Sequence, residues 1–272
     1  MESIAQIGKT TKFESRSMID RRSFCLSVGA VLMLSRRALA TQTTDFQAMT
    51  YRNSRPETLP YRLFTPRDYD KRKHYPLILW LHGSAGRGTD NLKQISGGNT
   101  AGSHVWTTAE QQASHPCFVV APQCPEDDSW ATPDKVTPTR PLELVLELLD
   151  DLHKTFSVDK QRLYVTGQSM GGFGTWSLIA RNPRMFAAAI PVCGGGNEVT
   201  AAQLTKMPIW AFHGERDEAV SVVRSRTMIA AIKRAGGSPR YTEYEGAGHA
   251  IWDRVFAEPE LLRWVFAQKR LG

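Results

Sequence analysis

The chain has 272 residues, of which 41% are hydrophobic and 22% are charged, and its formal net charge is +7 at pH 7. This composition excludes a disordered chain and suits one large α/β domain or two small ones. Outside the N-terminal segment there is no basic stripe with interleaved aromatic residues, which argues against a nucleic-acid partner.

The N-terminal segment has the order of features found in export signals. The pair Arg21-Arg22 precedes an apolar run over residues 24–34, and a small-residue Ala-x-Ala sequence follows. Arg-Arg-Ser-Phe is typical of the twin-arginine class. We therefore expect residues 1–40 to be a signal peptide, cleaved after Ala40, that sends the protein to the periplasm or the outside. The apolar run is too short to span a bilayer, which disfavours a membrane anchor, and removing the signal lowers the net charge from +7 to +3.

Alternating strand-like and helix-like segments fill the rest of the chain. Most of the strand-like segments are nearly continuous apolar runs, which are typical of strands covered on both faces of a parallel sheet. Strands are predicted at 46–51, 59–64, 75–83, 117–123, 162–169, 186–195, 208–217 and 240–249, and helices at 141–156, 173–180, 220–235 and 258–269. The alternation predicts a single α/β domain, residues 41–272, built on a doubly wound, mostly parallel sheet.

Three cysteines follow the expected signal: Cys117, Cys124 and Cys193. An odd number leaves at least one free thiol, and no Cys-x-x-Cys or Cys/His cluster indicates a metal site. The strand predicted between Cys117 and Cys124 holds these two residues apart, so we expect no disulfide. Neither a metal nor an organic cofactor is predicted.

The sequence VTGQSMGGFG, residues 165–174, places Ser169 among glycines at a predicted strand-to-helix corner. Residues 167–171 fit the G-x-S-x-G pattern of a nucleophile elbow, in the strand and helix context that this motif requires. Glycines leave room for the sharp turn, and the helix dipole favours negative charge near the serine. The alternative is a glycine-rich turn whose serine only caps the helix.

A nucleophilic serine needs a base, and usually a carboxylate to orient that base. Asp217 ends the strand predicted at 208–217, and His249 follows the next strand, so the chain order is Ser, Asp, His. Glu215 and Glu218 are rivals for the acid. Five other histidines compete with His249 for the base, and they are His82, His104, His115, His153 and His213. We expect His82 and His213, which precede glycines at strand ends, to hold loops by hydrogen bonds.

The glycine-rich loop LHGSAGRGTDN, residues 81–91, is the candidate source of an oxyanion hole. We expect backbone N–H groups of Ser84 (or Ala85) and of Met170 to converge on the oxyanion. A phosphate-binding loop is disfavoured because no Gly-Lys-Ser/Thr follows.

Two connections bear on the substrate. Residues 194–207 are too few to build a large lid, which predicts an open site suited to a bulky or polymeric substrate. Trp130, in the long connection over residues 122–140, either lines an acyl or aromatic pocket, the role we assign it, or packs into the core.

Together, LHGSAGRGTDN, GQSMGG, HGERDEAV and GHAIW resemble motifs of the α/β-hydrolase superfamily, over roughly residues 58–268. The resemblance is to its secreted branch near polyhydroxybutyrate depolymerases, feruloyl and acetylxylan esterases, and the catalytic domain of prolyl oligopeptidase. It implies a serine hydrolase that cleaves small or polymeric carboxylic esters through an acyl-enzyme, with Ser169, Asp217 and His249 as its triad. The serine at the elbow separates the chain from dienelactone hydrolases, which are similar in outline but use cysteine there.

Two other functions remain open. One is a peptidase of the prolyl oligopeptidase type, although such enzymes usually add a gating domain and few residues separate the expected signal from the first strand. The other is a non-catalytic binding protein on the same scaffold, although such proteins generally lose a triad member. The identity of the ester and the oligomeric state are left open by the sequence.

Overall fold

Eight strands form one twisted sheet at the centre of the molecule. The computed structural model describes residues 46–132 and 137–270, so the signal peptide expected at residues 1–40 lies outside the described residues. The strands are β1 (Gln47–Arg52), β2 (Thr58–Phe64), β3 (Tyr75–Leu81), β4 (Phe118–Pro122), β5 (Val158–Gln168), β6 (Ala188–Val192), β7 (Trp210–Gly214) and β8 (Arg240–Tyr244). Their order is β1-β2-β4-β3-β5-β6-β7-β8. β2 runs antiparallel to both of its neighbours, and every other pair is parallel.

The helices lie between the strands and cover both faces of the sheet. They are α1 (Thr100–His104), α2 (Ala109–Ser114), α3 (Arg140–Thr155), α4 (Met170–Arg181), α5 (Val223–Arg234), α6 (Trp252–Phe256) and α7 (Leu261–Phe266). α3 begins with a proline in its first turn, where the missing N–H leaves no bond unmade. Its buried leucines and valine recur at helical spacing along the side that faces the sheet.

Alternate residues of β3 belong to two separate hydrophobic cores. Leu77 and Leu79 pack with buried side chains of α3, α4 and α5 on one face. Ile78 and Trp80 pack with the core that includes Phe256 of α6 on the other face. Because both faces are covered, all seven residues of β3 are buried, which explains why its sequence is a continuous apolar run.

The predicted doubly wound, mostly parallel sheet is confirmed, with differences at the ends of elements. β5 begins at Val158, before the predicted residue 162, because Val158 already pairs with Tyr75 of β3, ahead of a register shift that leads to the pair of Leu163 with Leu77. α7 is shorter than the predicted helix 258–269, and α1, α2 and α6 were not predicted. Each of these helices has only five or six residues, too few for a periodic apolar pattern to stand out.

The connection between β6 and β7 carries little extra structure. Between β6 and β7 there is one 3-10 helix, Glu198–Leu204, and no larger insertion. Within residues 46–132 and 137–270, no helix combines the length and apolar character needed to cross a membrane. The three cysteines of this part of the chain are buried and unpaired, as the strand between Cys117 and Cys124 predicts.

Candidate active site

Ser169 occupies the corner between β5 and α4 in a backbone conformation that non-glycine residues seldom adopt. Its φ is 54° and its ψ is −117°, a combination that is stable only where the surroundings hold it. Two hydrogen bonds do so, since its N–H donates to the Val192 carbonyl at 2.9 Å and its carbonyl accepts from the Phe173 N–H at 3.1 Å. The serine is thereby anchored to the end of β6 and to the first turn of α4.

His249 lies between Ser169 and Asp217. Its Nε2 is 2.9 Å from Ser169 Oγ, and its Nδ1 is 2.6 Å from Asp217 Oδ2. A carboxylate only accepts hydrogen bonds, so Nδ1 carries the proton and donates to Asp217. In the neutral imidazole Nε2 is therefore left as the acceptor for the serine hydroxyl. Three residues far apart in sequence thus meet beyond the carboxyl ends of β5, β7 and β8.

Asp217 is held as a buried carboxylate. Its Oδ1 accepts from the N–H groups of Ala219 at 2.9 Å and Val220 at 2.8 Å, and its side chain is 0% exposed. Burial by itself raises the pKa of this carboxyl. The hydrogen bonds from His249 and the Val220 N–H outweigh burial, so the pKa of Asp217 lies below its usual range. The group is therefore ionised at neutral pH, as orientation of an imidazole requires.

The rivals for acid and base lie elsewhere or serve other contacts. Glu215 accepts from the Gly246 N–H at 2.8 Å, and Glu218 is exposed. Among the histidines, His104 and His153 contact carbonyls of their own helices and His115 stacks on Phe266, while His82 and His213 are buried at the ends of β3 and β7. Of these candidates, His249 is the histidine that contacts both Ser169 and an acid, and that acid is Asp217.

The loop after β3 packs directly on the first turn of α4. A β-carbon on Gly171 would lie 1.9 Å from the Leu81 carbonyl oxygen, so only glycine allows this approach. The loop continues into a 3-10 turn, Ser84–Gly86. The first N–H groups of a helix have no partner within it, and no hydrogen bond within the described residues uses the N–H of Ser84 or of Met170. Among the described residues, these two N–H groups remain the candidate donors to an oxyanion.

Trp130 does not line a substrate pocket, so that assignment is wrong. It is 0% exposed and packs in the core against α4, where a β-carbon on Gly174 would lie 2.6 Å from the Trp130 Cβ. Its indole N–H donates to the His82 carbonyl at 3.0 Å. A buried indole needs a partner for its N–H, and the backbone of the loop after β3 provides it. Trp130 therefore supports that loop from beneath.

His82 fixes the same loop from inside the protein. Its Nδ1 donates to the Gly83 carbonyl at 2.6 Å, and its Nε2 accepts from the Cys124 N–H at 3.0 Å. Burial lowers the pKa of His82 to about 4, so the ring is neutral and can make both contacts at once. The expectation that this histidine holds a loop agrees with the hydrogen bonds it makes.

Asn99 and Gln168 complete the support of the loop, and the sequence analysis missed both. Asn99 Oδ1 accepts from the Gly83 N–H at 3.0 Å and from Gln168 Nε2 at 3.3 Å. Gln168 Nε2 also donates to the Gly98 carbonyl at 2.8 Å. Gln168 stands directly before Ser169, at a variable position of the elbow motif. That place in the motif was the one feature of the sequence that could have indicated a role for Gln168.

Cys193 and His213 lie close to Asp217, with one potential ligand atom of each residue within 4.8 Å of the others. These atoms already serve hydrogen bonds. Asp217 Oδ2 accepts from His249, and His213 Nε2 lies 2.9 Å from the Val220 carbonyl and 3.2 Å from Asp217 Oδ2. The Cys193 thiol points at the His249 carbonyl, 3.5 Å away. The arrangement is that of a hydrogen-bond network behind the acid.

The strand order and the loops at the carboxyl ends of the strands define an α/β-hydrolase fold. The chain belongs to the dienelactone hydrolase family, whose model matches residues 119–258, just over half of its length. The serine at the elbow therefore does not separate the chain from this family, contrary to the expectation from that one residue. The match extends from β4 through α6, so it includes the elbow at Ser169 and the segments that carry Asp217 and His249.

Relatives carry names of ester-cleaving enzymes. The chain is 27% identical over 193 residues to poly(3-hydroxyalkanoate) depolymerase C of Paucimonas lemoignei, covering 68% of this chain and 42% of that protein. It is 26% identical over 148 residues to probable feruloyl esterase C of Aspergillus niger, covering 52% of this chain and 51% of the relative. The chain thus spans about half or less of the length of these curated relatives.

A solved structure of a thermostable esterase is more similar in sequence. It is 39% identical, with a TM-score of 0.79, and the match covers 83% of this chain and 64% of that one.

Proposed function

We propose that this protein is a serine hydrolase that cleaves carboxylic esters through an acyl-enzyme. The observation that carries the proposal is the position of His249, with Nε2 at 2.9 Å from Ser169 Oγ and Nδ1 at 2.6 Å from Asp217 Oδ2. The names of the relatives support an ester as substrate, since they include a depolymerase and a feruloyl esterase.

Each residue has a defined role in the proposed reaction. Ser169 Oγ attacks the ester carbonyl while His249 Nε2 takes the hydroxyl proton, and Asp217 stabilises the imidazolium. The N–H groups of Ser84 and Met170 donate to the oxyanion. His249 then gives its proton to the departing alcohol, which leaves the acyl group on Ser169. Water, activated by the same imidazole, releases the acid and restores the serine.

The surroundings of Ser169 favour a substrate that is not enclosed. The connection between β6 and β7 holds only the 3-10 helix Glu198–Leu204, and both Ser84 and Ala85 on the facing loop are exposed. Because this connection is too short to form a large lid, we expect the site to admit bulky or polymeric esters as well as small ones.

We further propose that residues 1–40 are a twin-arginine signal and that the hydrolase domain begins after them. The paired arginines, the short apolar run and the small-residue end support export. Mass spectrometry of the protein recovered from the periplasm tests this directly. A mature N-terminus at residue 41 is expected, and an intact N-terminus in the exported protein contradicts it.

The reaction is tested with a fluorophosphonate probe and a panel of aryl esters. We expect the probe to modify Ser169 stoichiometrically, and the Ser169→Ala variant to lose both labelling and ester hydrolysis while keeping its melting temperature. Acetyl, butyryl, feruloyl and hydroxyalkanoate esters then define the acyl preference, and a peptide substrate tests the peptidase alternative. Ester turnover that persists in Ser169→Ala, or a protein that binds these esters without turnover, overturns the proposal.

A further inference from the structure

A second histidine lies behind the acid of the site and has no role in the proposed reaction. His213, near the end of β7, is 0% exposed, and its Nε2 is 3.2 Å from Asp217 Oδ2. This is the same carboxylate oxygen that accepts from His249 Nδ1 at 2.6 Å. Asp217 Oδ2 therefore lies between two imidazoles.

The hydrogen-bond partners of His213 define its tautomer. Its Nε2 faces two acceptors, the Val220 carbonyl at 2.9 Å and the Asp217 carboxylate, so Nε2 must carry a proton. Burial lowers the pKa of His213, which keeps the ring neutral. Its Nδ1, 2.7 Å from Ser225 Oγ, must then accept the hydroxyl proton of Ser225.

Ser225 has a second acceptor within reach, the Gly194 carbonyl at 3.1 Å. A hydroxyl has one proton to donate, and the neutral imidazole takes it at the shorter distance. Ser225 is itself buried on α5, so this contact is shielded from water. The result is a continuous chain of contacts from Ser225 through His213, Asp217 and His249 to Ser169.

Few other titratable groups face this chain of contacts. The Cys193 thiol lies on the β6 side, and because burial raises its pKa it stays neutral. On β8, Glu243 is the register partner of His213 and forms an ion pair with Arg226 of α5 at 2.5 Å. The ionised group in direct contact with His213 is therefore the Asp217 carboxylate.

We propose that His213 is a positioning residue for the triad, its Nε2–H holding Asp217 Oδ2 in line with His249 Nδ1 while Ser225 fixes its tautomer. This inference rests on the proposed function. A donor on the far side of the carboxylate restrains its rotation and draws part of its negative charge away from His249. Without that donor, the carboxylate attracts a proton on His249 more strongly, and the base stays protonated to a higher pH.

Two substitutions of nearly equal shape separate positioning from packing. Glutamine reaches the place of Nε2 with an amide that both donates and accepts, whereas methionine has the same length and no donor. We expect His213→Met to lower kcat about tenfold with little change in KM, as the loss of one hydrogen bond to an ionised group predicts. We also expect the midpoint of the acid limb of kcat/KM to rise by about half a pH unit. His213→Gln should keep the wild-type midpoint and most of kcat.

A purely structural role predicts a different result, because both substitutions remove the same ring. Equal losses in His213→Gln and His213→Met, with an unshifted acid limb in both, overturn the inference. If either variant fails to fold, Ser225→Ala provides the test, since it deletes only the hydroxyl that sets the tautomer. We expect about a threefold loss of kcat and a smaller shift in the same direction, and wild-type behaviour of Ser225→Ala overturns the inference.

The controls separate failure of this inference from failure of the proposed function. His153→Gln alters a half-buried histidine on α3, remote from the site, and should leave kcat and the pH profile unchanged. Fluorophosphonate labelling of Ser169 in the wild type tests the hydrolase itself. A labelled, active wild type with unaffected His213→Met leaves the proposed function intact and removes only the role of His213.

Discussion

Gly214 lies so close to Gly248 that a β-carbon on Gly214 would be 2.1 Å from the Gly248 carbonyl oxygen. Gly214 ends β7 immediately before the turn that carries Asp217, and Gly248 immediately precedes His249. A further backbone bond, from the Arg216 N–H to the Ala247 carbonyl at 2.8 Å, joins the same two loops. This backbone contact therefore sets the spacing between the acid and the histidine.

The contact predicts that Gly214→Ala is damaging. The added methyl group forces the two loops apart, and overpacking of this kind costs about 2 kcal/mol of unfolding free energy. A displacement of about 1 Å between Asp217 and His249 should also reduce kcat about a hundredfold. Urea unfolding and ester turnover measure the two effects. Gly248→Ala is the matched control. Its added β-carbon would have its nearest neighbour at 3.9 Å, which is an ordinary van der Waals distance. Equal effects of the two substitutions contradict the argument.

Asp217→Asn tests the role of the negative charge, because asparagine keeps the shape of the side chain and removes the charge. The amide can place an N–H towards His249 and so stabilise the tautomer whose Nε2 is protonated and unable to accept from Ser169. We expect kcat to fall by about three to four orders of magnitude, with the fold retained. Combining Asp217→Asn with Ser169→Ala should cost little beyond Ser169→Ala alone, because these residues act as a unit. Additive losses in the double variant argue against a shared proton path.

Trp130→Phe tests the support of the loop after β3. The phenyl ring keeps most of the packing but loses the hydrogen bond from the indole N–H to the His82 carbonyl, which should cost about 1 kcal/mol of unfolding free energy. Because Trp130 is buried, we expect kcat to fall several-fold and the ranking of acyl chain lengths to stay the same. A changed acyl preference with unaltered stability would instead show that the ring reaches the substrate.

Acid should destabilise the protein in part through His82. Burial holds its pKa at about 4 in the folded protein, against a usual value of 6.5. Between these two pH values the unfolded chain binds more protons than the folded one, so the free energy of unfolding falls as the pH is lowered from 6.5 to 4. A fully buried histidine contributes about 3 kcal/mol over this range. Urea unfolding from pH 7 to pH 4.5 measures the slope.

His82→Gln is the comparison for that measurement, because a glutamine does not titrate. Its free energy of unfolding should depend less steeply on pH than that of the wild type, whatever its absolute value. Parallel curves for the two proteins contradict the assignment of a neutral, buried imidazole at position 82. His74→Gln, which changes an exposed histidine just before β3, serves as the reference for a general histidine effect.

The sequence by itself determined the fold class and the candidates for the acid, base and nucleophile. Apolar runs that alternate with helical spacing suffice to predict a doubly wound sheet, because burial on both faces leaves a local signature in each strand. The sequence signal of the elbow around Ser169 is also local, because its glycines avoid steric clashes in a turn of only a few residues. Asp217 and His249 followed from their places at strand ends, where parallel strands deliver their loops to one edge.

Only the tertiary structure decided which side chains meet. Trp130 and His82 are 48 residues apart, and no pattern near Trp130 distinguishes an indole that donates to a buried carbonyl from one that lines a pocket. His213 could be predicted as a loop-holding residue, but its second contact depends on how the turn after β7 folds back under Asp217. Periodicity reports which side of an element is buried, whereas the partner of each polar atom depends on packing between distant segments.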